Sequence, residues 1–337
     1  METLNIAFIA DGGFFLPSVV ALTSLLDNMK TDSRYHIYFI VVDFSDKQKN
    51  VLTELSKKHN VPIDIIEIKE SELQNKYSGI AKHDCCASIS ALIKFDLPYI
   101  CGDIDRLLYL DGDIIVQTDL SELNHIRFEG TDYAAVVEDS GVLYSQTLIR
   151  QNINHYFNSG VMLLNLKALR SDKIPEKLVE EKFRDQDNSL MDQHVLNKVF
   201  TGHIKILPVK YNLLYMNLIR AHYFYSLSIQ DINDKYSENF RDWDEMRDKA
   251  SIIHYSSFDK PWKYSDVSGV EIWDSYYQKS PFMNQPLKRK KLFIPLLNKM
   301  RQKKGLSLIA SFIWECETKG ISLALKDTFK FIFKKNR

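Results

Sequence analysis

Apolar runs and amphipathic stretches alternate along the first two thirds of the chain. His36 to Val42 is nearly continuous, as expected for a strand of a parallel sheet covered on both faces, and Ile6 to Ala10 and Val61 to Ile68 are two further predicted strands. Between these runs, Pro17 to Met29 and Ser45 to Lys58 have the spacing of helices. The resulting β-α-β-α-β order predicts an open, doubly wound α/β sheet that is mostly parallel.

The alternation continues with shorter elements as far as Pro261-Trp262. The predicted elements are a helix over Ser88 to Tyr99, strands over Arg106 to Leu110, Tyr133 to Val137 and Val161 to Leu166, a helix over Met191 to Phe200, and strands over Ile204 to Leu207 and Ile252 to Tyr255. Residues 217–250 are polar and aromatic, and their pattern predicts no defined structure. We therefore expect an α/β domain over residues 1–265, followed by a separate extension over 266–337.

The charges are distributed unevenly, although the chain carries 44 Lys and Arg and 44 Asp and Glu. Residues 288–337 contain 14 Lys and Arg against 3 Asp and Glu, which gives this segment a net charge of +11 and the rest of the chain −11. An acidic body argues against nucleic acid as a partner, whereas a basic tail favours an anionic surface.

Cysteine usage and the N-terminus both bear on the compartment. Cys85, Cys86, Cys101 and Cys316 lack the C-x-x-C spacing of metal or redox motifs, so we expect reduced thiols in the cytosol. The first residues carry no basic group before the first strand, and no run of about 20 apolar residues occurs. Neither a signal peptide nor a transmembrane helix is therefore expected.

Acidic residues follow two of the predicted strands. Asp11 comes at the end of the first strand and precedes two glycines, and Asp111-Gly112-Asp113 follows the run Leu107 to Leu110. Two carboxylates at positions i and i+2 can converge on one Mg²⁺ or Mn²⁺ ion, which readily shares its coordination with substrate phosphates. An isolated Asp-x-Asp is equally compatible with an ordinary solvated turn.

Five segments resemble those of glycosyltransferase family 8, the retaining galactosyl- and glucosyltransferases of bacterial lipopolysaccharide synthesis and the glycogenin relatives. The resemblance is carried, in chain order, by IAFIADGGF (6–14), DRLLYLDGDIIV (105–116), YFNSGVMLLNLKALR (156–170), MDQHVLN (191–197) and HYSSFDKPW (254–262). It covers about residues 1–265 and implies a GT-A-type fold, with a basic, helical C-terminal extension over 266–337.

The resemblance also implies roles for individual residues. The implied metal ligands for Mn²⁺, with Mg²⁺ as the alternative, are Asp111, Asp113 and His254. The implied donor-binding residues are Ala10, Asp11, Phe14, Lys94, Asp111, Asn158, Ser159, Gly160, Ser257 and Lys260, together with Glu138 or Asp139, between which the register is open. Asp192 and Gln193 would lie beside the reacting carbon.

Some positions depart from the family pattern. Lys94 stands where the family usually has Arg, Ser257 where it has Gly, and His194 where it has the second Asp of an Asp-Gln-Asp element. Asp185-Gln186-Asp187 has the letters of that element, but Asp192-Gln193 is chosen because an apolar helix follows it. These departures bear on the choice of donor more than on the type of reaction.

The basic tail mixes Lys and Arg with large apolar residues at helical spacing. The apolar positions that would share faces are Leu306, Ile309, Phe312 and Ile313, and then Leu325, Phe329 and Ile332 or Phe333. Basic amphipathic helices bind anionic membrane surfaces, and the alternative is that these faces pack on the catalytic domain. By resemblance the acceptor is a glycan or glycolipid, reached from the inner face of the cell membrane.

The resemblance therefore implies a hexosyltransferase that moves glucose or galactose from a UDP-sugar with retention of configuration. Gln193 is a poor nucleophile, Asp192 is a better candidate, and same-face attack by the acceptor is a third route. Two alternatives remain: a nucleotidyltransferase, although Gly12-Gly13-Phe14-Phe15 lacks the cation that such a loop needs, and a non-catalytic protein of the same fold at the membrane surface.

Overall fold

A computed structural model describes residues 2–80, 88–130, 132–139, 155–184, 192–303, 306–319, 321 and 324. The strands of the described residues are β1 (Leu4–Asp11), β2 (Tyr35–Val42), β3 (Ile63–Ile68), β4 (Arg106–Leu110), β5 (Ile114–Val116), β6 (Ala134–Glu138), β7 (Phe157–Asn165), β8 (Ile204–Ile206) and β9 (Ile252–His254). Their α-helices are α1 (Phe15–Asp27), α2 (Asp46–His59), α3 (Glu70–Lys76), α4 (Leu97–Ile100), α5 (Leu166–Ser171), α6 (Ile174–Arg184), α7 (Gln193–Val199), α8 (Tyr215–Tyr225), α9 (Ile229–Tyr236), α10 (Trp243–Asp248), α11 (Val270–Tyr277), α12 (Ile294–Arg301) and α13 (Ser307–Lys319).

Seven strands form one twisted sheet in the order β3-β2-β1-β4-β7-β6-β8. β1 pairs in parallel with β2 and β4, and β2 with β3, whereas β7 runs antiparallel to both β4 and β6. The chain builds outward from β1 through β2 and β3, and then returns to place β4 on the other side of β1. Ligands of open α/β sheets bind at such a reversal of strand order. The predicted α/β, mostly parallel, doubly wound fold is confirmed.

The centre of the sheet is held by fully buried apolar side chains. Phe8 of β1 and Phe39 of β2 are both completely buried, and their rings stack with centroids 5.6 Å apart. Each such side chain contributes about 1.5–3 kcal/mol by leaving water. The near-continuous apolar pattern of β2 therefore reflects burial on both faces, as its sequence predicts.

A separate two-stranded sheet joins β5 to β9. Gln117 donates its backbone N–H to the carbonyl of Ser251 at 2.8 Å, and Leu213 donates to that of Ile252 at 2.9 Å. This pairing brings a late strand of the chain alongside the strand that follows Asp113.

The chain divides into two compact units. The first comprises Met1–Leu213 and Ala250–Ile253, and the second comprises Leu214–Lys249 and His254–Arg337. The segment of undefined pattern at 217–250 thus belongs with the C-terminal part, and it forms the three helices α8, α9 and α10. The functional boundary at residue 265 stays a prediction.

Two predictions of local structure need correction. The predicted helix over Ser88 to Tyr99 is a 3₁₀ helix over Ile89–Asp96 that continues as the short α4. Pro98 provides no backbone N–H and suits only the first turn of an α-helix, so the α-helical part begins next to it. Helices α9 and α10, which the apolar pattern missed, begin at polar caps: Ser228 accepts from the N–H of Asp231, and Asp242 from that of Glu245.

The C-terminal extension is helical where it is described. Helix α13 buries Ala310 and Trp314, whereas Ile309 and Ile313 are 49% and 39% exposed. The second predicted apolar face, with Leu325, lies outside the described residues, as do Cys85 and Cys86. None of the helices described is both long and apolar enough to cross a membrane.

Asp119 ties the start of β2 to the chain beyond β5. Its carboxylate accepts hydrogen bonds from the Tyr35 hydroxyl at 2.8 Å, from the Lys30 N–H at 3.0 Å and from Ser121. Burial alone raises the pKa of Asp119, but these hydrogen bonds outweigh it and hold the pKa well below its usual range. The ionised form therefore stabilises the fold.

Asp119→Asn is expected to lower the free energy of unfolding by about 1–3 kcal/mol at pH 7, because two of the donors lose an acceptor. Because the pKa of Asp119 is depressed on folding, this contribution is present above about pH 4 and is lost as the pH falls further. Urea denaturation from pH 7 to pH 2 measures it. The exposed Asp103→Asn serves as control, and a difference from wild type that stays constant with pH would contradict the assignment.

Candidate active site

The first predicted donor residues lie where β1 ends. Asp11 accepts hydrogen bonds from the N–H groups of Gly13 and Phe14 at 3.0 and 3.2 Å, and so caps the 3₁₀ turn Gly12–Phe14. Ser90 donates its hydroxyl to the other Asp11 oxygen at 3.4 Å. Ala10 is buried in the strand, so it presents only backbone at this edge. The turn is thus preformed at the reversal of strand order.

Asp111 and Asp113 lie at the end of β4, immediately beside β1 in the sheet. The N–H of Asp111 donates to the carbonyl of Gly160 at 2.8 Å, which joins this turn to β7. A side chain on Gly112 would place its Cβ 2.0 Å from Ser18 Oγ and 3.0 Å from Ser18 Cβ. The glycine is required because helix α1 packs directly against the turn that carries both carboxylates.

His254 completes a group with the chemistry of a metal site. Ligand atoms of Asp111, Asp113 and His254 all lie within 4.8 Å of one another. Two ligands on opposite sides of a divalent transition-metal ion are about 4.2 Å apart, so the group needs little adjustment to hold one. Asp113 and His254 are buried, and Asp111 is partly exposed. The donor set of two carboxylates and one imidazole fits Mn²⁺ and accommodates Mg²⁺.

Lys94 connects this group to the second cluster of predicted residues. Its ammonium lies 3.2 Å from Asp111 Oδ1 and 2.8 Å from Asp192 Oδ2, and it also donates to the carbonyl and hydroxyl oxygens of Ser159 at 3.3 Å. The side chain is only 4% exposed. Ser159 donates its own hydroxyl to Asp192 at 2.7 Å. One buried cation therefore compensates two carboxylates from different parts of the chain.

The charges of this cluster determine its protonation. Burial lowers the pKa of Lys94, but the carboxylates of Asp111 and Asp192 more than offset it and raise the pKa above its ordinary value. Tyr109 donates its hydroxyl to Asp111 Oδ1 at 2.5 Å, and the Lys94 ammonium lies 4.8 Å from the centre of its ring. Burial, reinforced by Asp111, raises the pKa of Tyr109 far above its usual value, so the phenol stays a donor.

A chain of amides fixes Gln193. The Asn158 amide donates to Gln193 Oε1 at 2.9 Å, and the Ser159 N–H donates to the same oxygen at 3.3 Å. Gln193 in turn donates to the Tyr156 hydroxyl at 3.2 Å, while Asn212 donates to Asn158 Oδ1 at 3.2 Å. The orientation of the Gln193 amide is therefore set by its neighbours.

The remaining predicted residues of the first unit lie nearby in the sheet. Glu138 ends β6, and the N–H of Asp139 donates to the carbonyl of Tyr156 at 2.7 Å. Asp139 is buried and the Glu138 side chain is 24% exposed, so the choice between them stays open. The Gly160 N–H donates to Asn158 Oδ1 at 3.0 Å. Asp185-Gln186-Asp187 lies outside the described residues.

Ser257 and Lys260 belong to the second unit, in the loop of residues 255–260 that follows β9. The Lys260 ammonium donates to the carbonyl of Tyr255 at 2.7 Å, and Ser257 Oγ accepts from Arg220 at 2.7 Å. Ser257 is buried and Lys260 partly so. The two predicted donor-binding residues are thus held by the chain around them.

Several contributors escaped prediction from the sequence. Tyr109, Ser90 and Tyr156 each bond a predicted residue through a hydroxyl, and Asn212 and Arg220 do so through an amide and a guanidinium. Tyr109 could have been found, because it is two residues before Asp111 and side chains at positions i and i+2 of a strand lie on the same face. Ser90, Asn212 and Arg220 carry no such signal, because only folding brings them to the site.

Comparison with known proteins identifies the family of the chain. The model of the glycosyl transferase family 8 matches residues 5–266. The chain belongs to glycosyl transferase family 8. The sequence-based prediction of this family, and of a hexosyltransferase enzyme, is thereby confirmed.

Two proteins and one solved structure are similar to this family 8 member over most of its length. Lipopolysaccharide 1,2-glucosyltransferase of Escherichia coli is 29% identical over 86% of the chain and 82% of its own length. Lipopolysaccharide 1,3-galactosyltransferase of Salmonella typhimurium is 26% identical over 77% of the chain and 73% of its own length. The galactosyltransferase LgtC, whose crystal structure contains donor and acceptor sugar analogues, is 21% identical in sequence. The match covers 82% of this chain and 96% of the LgtC chain, with a TM-score of 0.67. The GT-A type of fold follows.

Gly112→Ala is expected to destabilise the family 8 domain by about 1–3 kcal/mol, because its Cβ overlaps Ser18. Thermal unfolding of the purified protein measures this effect. Adding Ser18→Ala removes the oxygen that makes the shortest contact and is expected to restore part of the loss. A Gly112→Ala protein as stable as wild type would show that α1 does not confine the turn.

Lys94→Met is expected to lower the free energy of unfolding by about 3–5 kcal/mol, because the buried carboxylate of Asp192 and the partly exposed carboxylate of Asp111 lose their cation. Lys94→Arg keeps the charge and is expected to cost less than half as much. Adding Asp192→Asn to Lys94→Met removes one uncompensated charge and should recover stability in chemical denaturation. If the double variant is no more stable than Lys94→Met, the compensation is not electrostatic.

Proposed function

We propose that this enzyme transfers glucose or galactose from a UDP-sugar to a glycan or glycolipid acceptor, with retention of anomeric configuration and dependence on Mn²⁺. The observation that carries the proposal is the group of Asp111, Asp113 and His254 at the reversal of strand order. Mn²⁺ is preferred to Mg²⁺ because the imidazole is a softer ligand than oxygen. Glucose and galactose both stay candidates, because a glucosyltransferase is 29% identical to the chain and a galactosyltransferase 26%.

Different residues of the chain bind different parts of the donor. Asp11 and the preformed turn after β1, with Phe14, hold uracil and ribose. Asp111, Asp113 and His254 would hold the cation, which would supply positive charge to the diphosphate leaving group. Lys260 and Ser257 bind the diphosphate from the loop that directly follows His254 in the chain. Each group is fixed by the fold before the donor arrives, which limits the entropy lost on binding.

The sugar is bound by the cluster around Lys94. Asn158, Ser159, Gly160, Asp192 and Gln193 form this side of the site, with Glu138 or Asp139 accepting from a sugar hydroxyl. Lys94 serves here as a positioning residue, because its buried ammonium bonds Asp192 and Ser159. Because Lys94 stands where the family usually has Arg, the carboxylates of Asp111 and Asp192 are held by an ammonium and not by a guanidinium.

The hydrogen bonds of the two candidate nucleophiles favour direct attack by the acceptor hydroxyl on the face from which UDP leaves. Gln193 Oε1 accepts from two donors, and Asp192 Oδ2 is paired with Lys94 and Ser159. Both interactions lower the nucleophilicity of the oxygen concerned. Asp192 then acts by negative charge, which stabilises the positive charge that develops on the sugar.

The acceptor class rests on the similar lipopolysaccharide glycosyltransferases. A glycolipid acceptor places the enzyme at the inner face of the cell membrane, with the basic C-terminal region as the attachment. The exposed Ile309 and Ile313 of α13 support this arrangement, because they are apolar side chains in a C-terminal region that is rich in Lys and Arg overall, as suits an anionic lipid surface.

Incubation with a panel of UDP-sugars and Mn²⁺ is expected to release UDP from UDP-glucose or UDP-galactose, and EDTA to abolish the release. Asp113→Asn is expected to lower turnover at least about a hundredfold with unchanged thermal stability, because a neutral amide binds the cation weakly. Asp103→Asn provides an exposed control. Absence of UDP release from every UDP-sugar by the wild type would overturn the proposed function, and full activity of Asp113→Asn would remove the metal assignment.

A further inference from the structure

The loop of residues 255–260 is held by side chains from two helices of the second unit. Asn217 of α8 donates to Ser256 Oγ at 3.0 Å, and Arg220, one turn further along α8, donates to Ser257 Oγ and Asp259 Oδ1, both at 2.7 Å. One guanidinium thus bonds two residues of the loop, which fixes their separation.

Arg220 is needed here on electrostatic grounds. The Asp259 side chain is only 5% exposed, and a buried carboxylate without a cation costs several kilocalories per mole. Arg301 of α12 lies in the same region: burial and the charge of Arg220 lower its pKa to about 10, while Asp259 acts in the opposite direction. The Arg220 side chain is itself only 16% exposed, so the Arg220–Asp259 pair is a buried ion pair and not a rim contact.

The C-terminal extension supplies the other side of the support. The Arg220 guanidinium lies 4.2 Å from the centre of the Trp314 ring of α13, and that ring meets Phe258 of the loop edge-on at 6.3 Å. Trp314 is 6% exposed, and α12 packs against both α13 and α8. A tryptophan face fixes the plane of a guanidinium, so it also fixes the direction in which Arg220 donates.

We propose that Arg220 and Trp314 are positioning residues that fix the 255–260 loop for the donor diphosphate. This inference rests on the proposed function, because that function assigns Ser257 and Lys260 of the loop to the diphosphate. Ser257, which replaces the glycine of the family pattern, gives Arg220 a hydroxyl to hold. The helix that carries Trp314 lies beyond residue 266, where the family match ends. A part of the chain outside the shared domain therefore sets donor affinity.

The test compares Arg220→Gln with Arg289→Gln. Arg289 is a matched control in the same unit, because it also pairs with a carboxylate, that of Asp274, and lies over a tryptophan, Trp273, at 5.4 Å. We expect Arg220→Gln to weaken UDP binding in Mn²⁺ and to raise KM for the UDP-sugar by about tenfold with a much smaller change in kcat. Arg289→Gln is expected to leave Kd, KM and kcat unchanged.

Amide hydrogen exchange of residues 255–260 gives a readout that needs no ligand. Exchange in the loop is expected to accelerate in Arg220→Gln and Trp314→Leu but not in Arg289→Gln, and Arg220→Lys should restore part of the protection. If Arg220→Gln does not fold, Arg220→Lys and Trp314→Leu decide by the same measurements.

The inference would be overturned if the folded Arg220 and Trp314 variants had the same Kd, KM and loop exchange as the wild type. It would also be overturned if Arg289→Gln changed these quantities equally. A wild-type protein that binds no UDP with any divalent cation contradicts the proposed function instead. In that case loop exchange still decides whether Arg220 and Trp314 fix the loop.

Discussion

The site depends on one buried cation. Asp111 and Asp192 come from distant parts of the sequence; Asp111 is partly exposed, but the buried carboxylate of Asp192 needs a compensating cation. The Lys94 ammonium contacts both, and it also bonds Ser159 on β7. The end of β4, the start of α7 and the middle of the sheet are thereby drawn to one point. A predicted metal ligand and a predicted sugar-binding carboxylate are oriented by the same charge.

Much of the fold and the outline of the site could be predicted from the sequence, because strand ends are local features. An apolar run that stops at Asp11 or Asp111 indicates where a strand ends at the edge of the sheet. In a parallel sheet, the carboxyl ends of neighbouring strands lie at the same edge. The role of Lys94 was less accessible: the family resemblance implies that it contacts the donor, and the structure adds that its ammonium pairs with Asp111 and Asp192. Spacing along the chain gives no direction for a side chain on an irregular 3₁₀ segment.

The segment 217–250 was unpredictable for a different reason. Its helices are 11, 8 and 6 residues long, which is short for a periodic pattern of apolar positions, and α9 and α10 begin at polar caps. Helix α8 carries Arg220, whose partners are Asp259 and Trp314. No local rule connects these positions, because the pairing is a property of packing. The roles of the site residues, the 265 boundary and the membrane attachment stay predictions.

The pairing of β5 with β9 has a consequence for biosynthesis. Domains are synthesised from the N-terminus, and elements fold as they leave the ribosome. The two aspartates emerge early with β4 and β5, but the histidine arrives only with β9, after most of the chain is made. Until β9 has been made, a nascent chain therefore holds only the two carboxylates of this group, and a cation that uses all three side chains would bind fully only afterwards. Chains stopped before β9 and chains extended beyond it would then differ in their affinity for that cation.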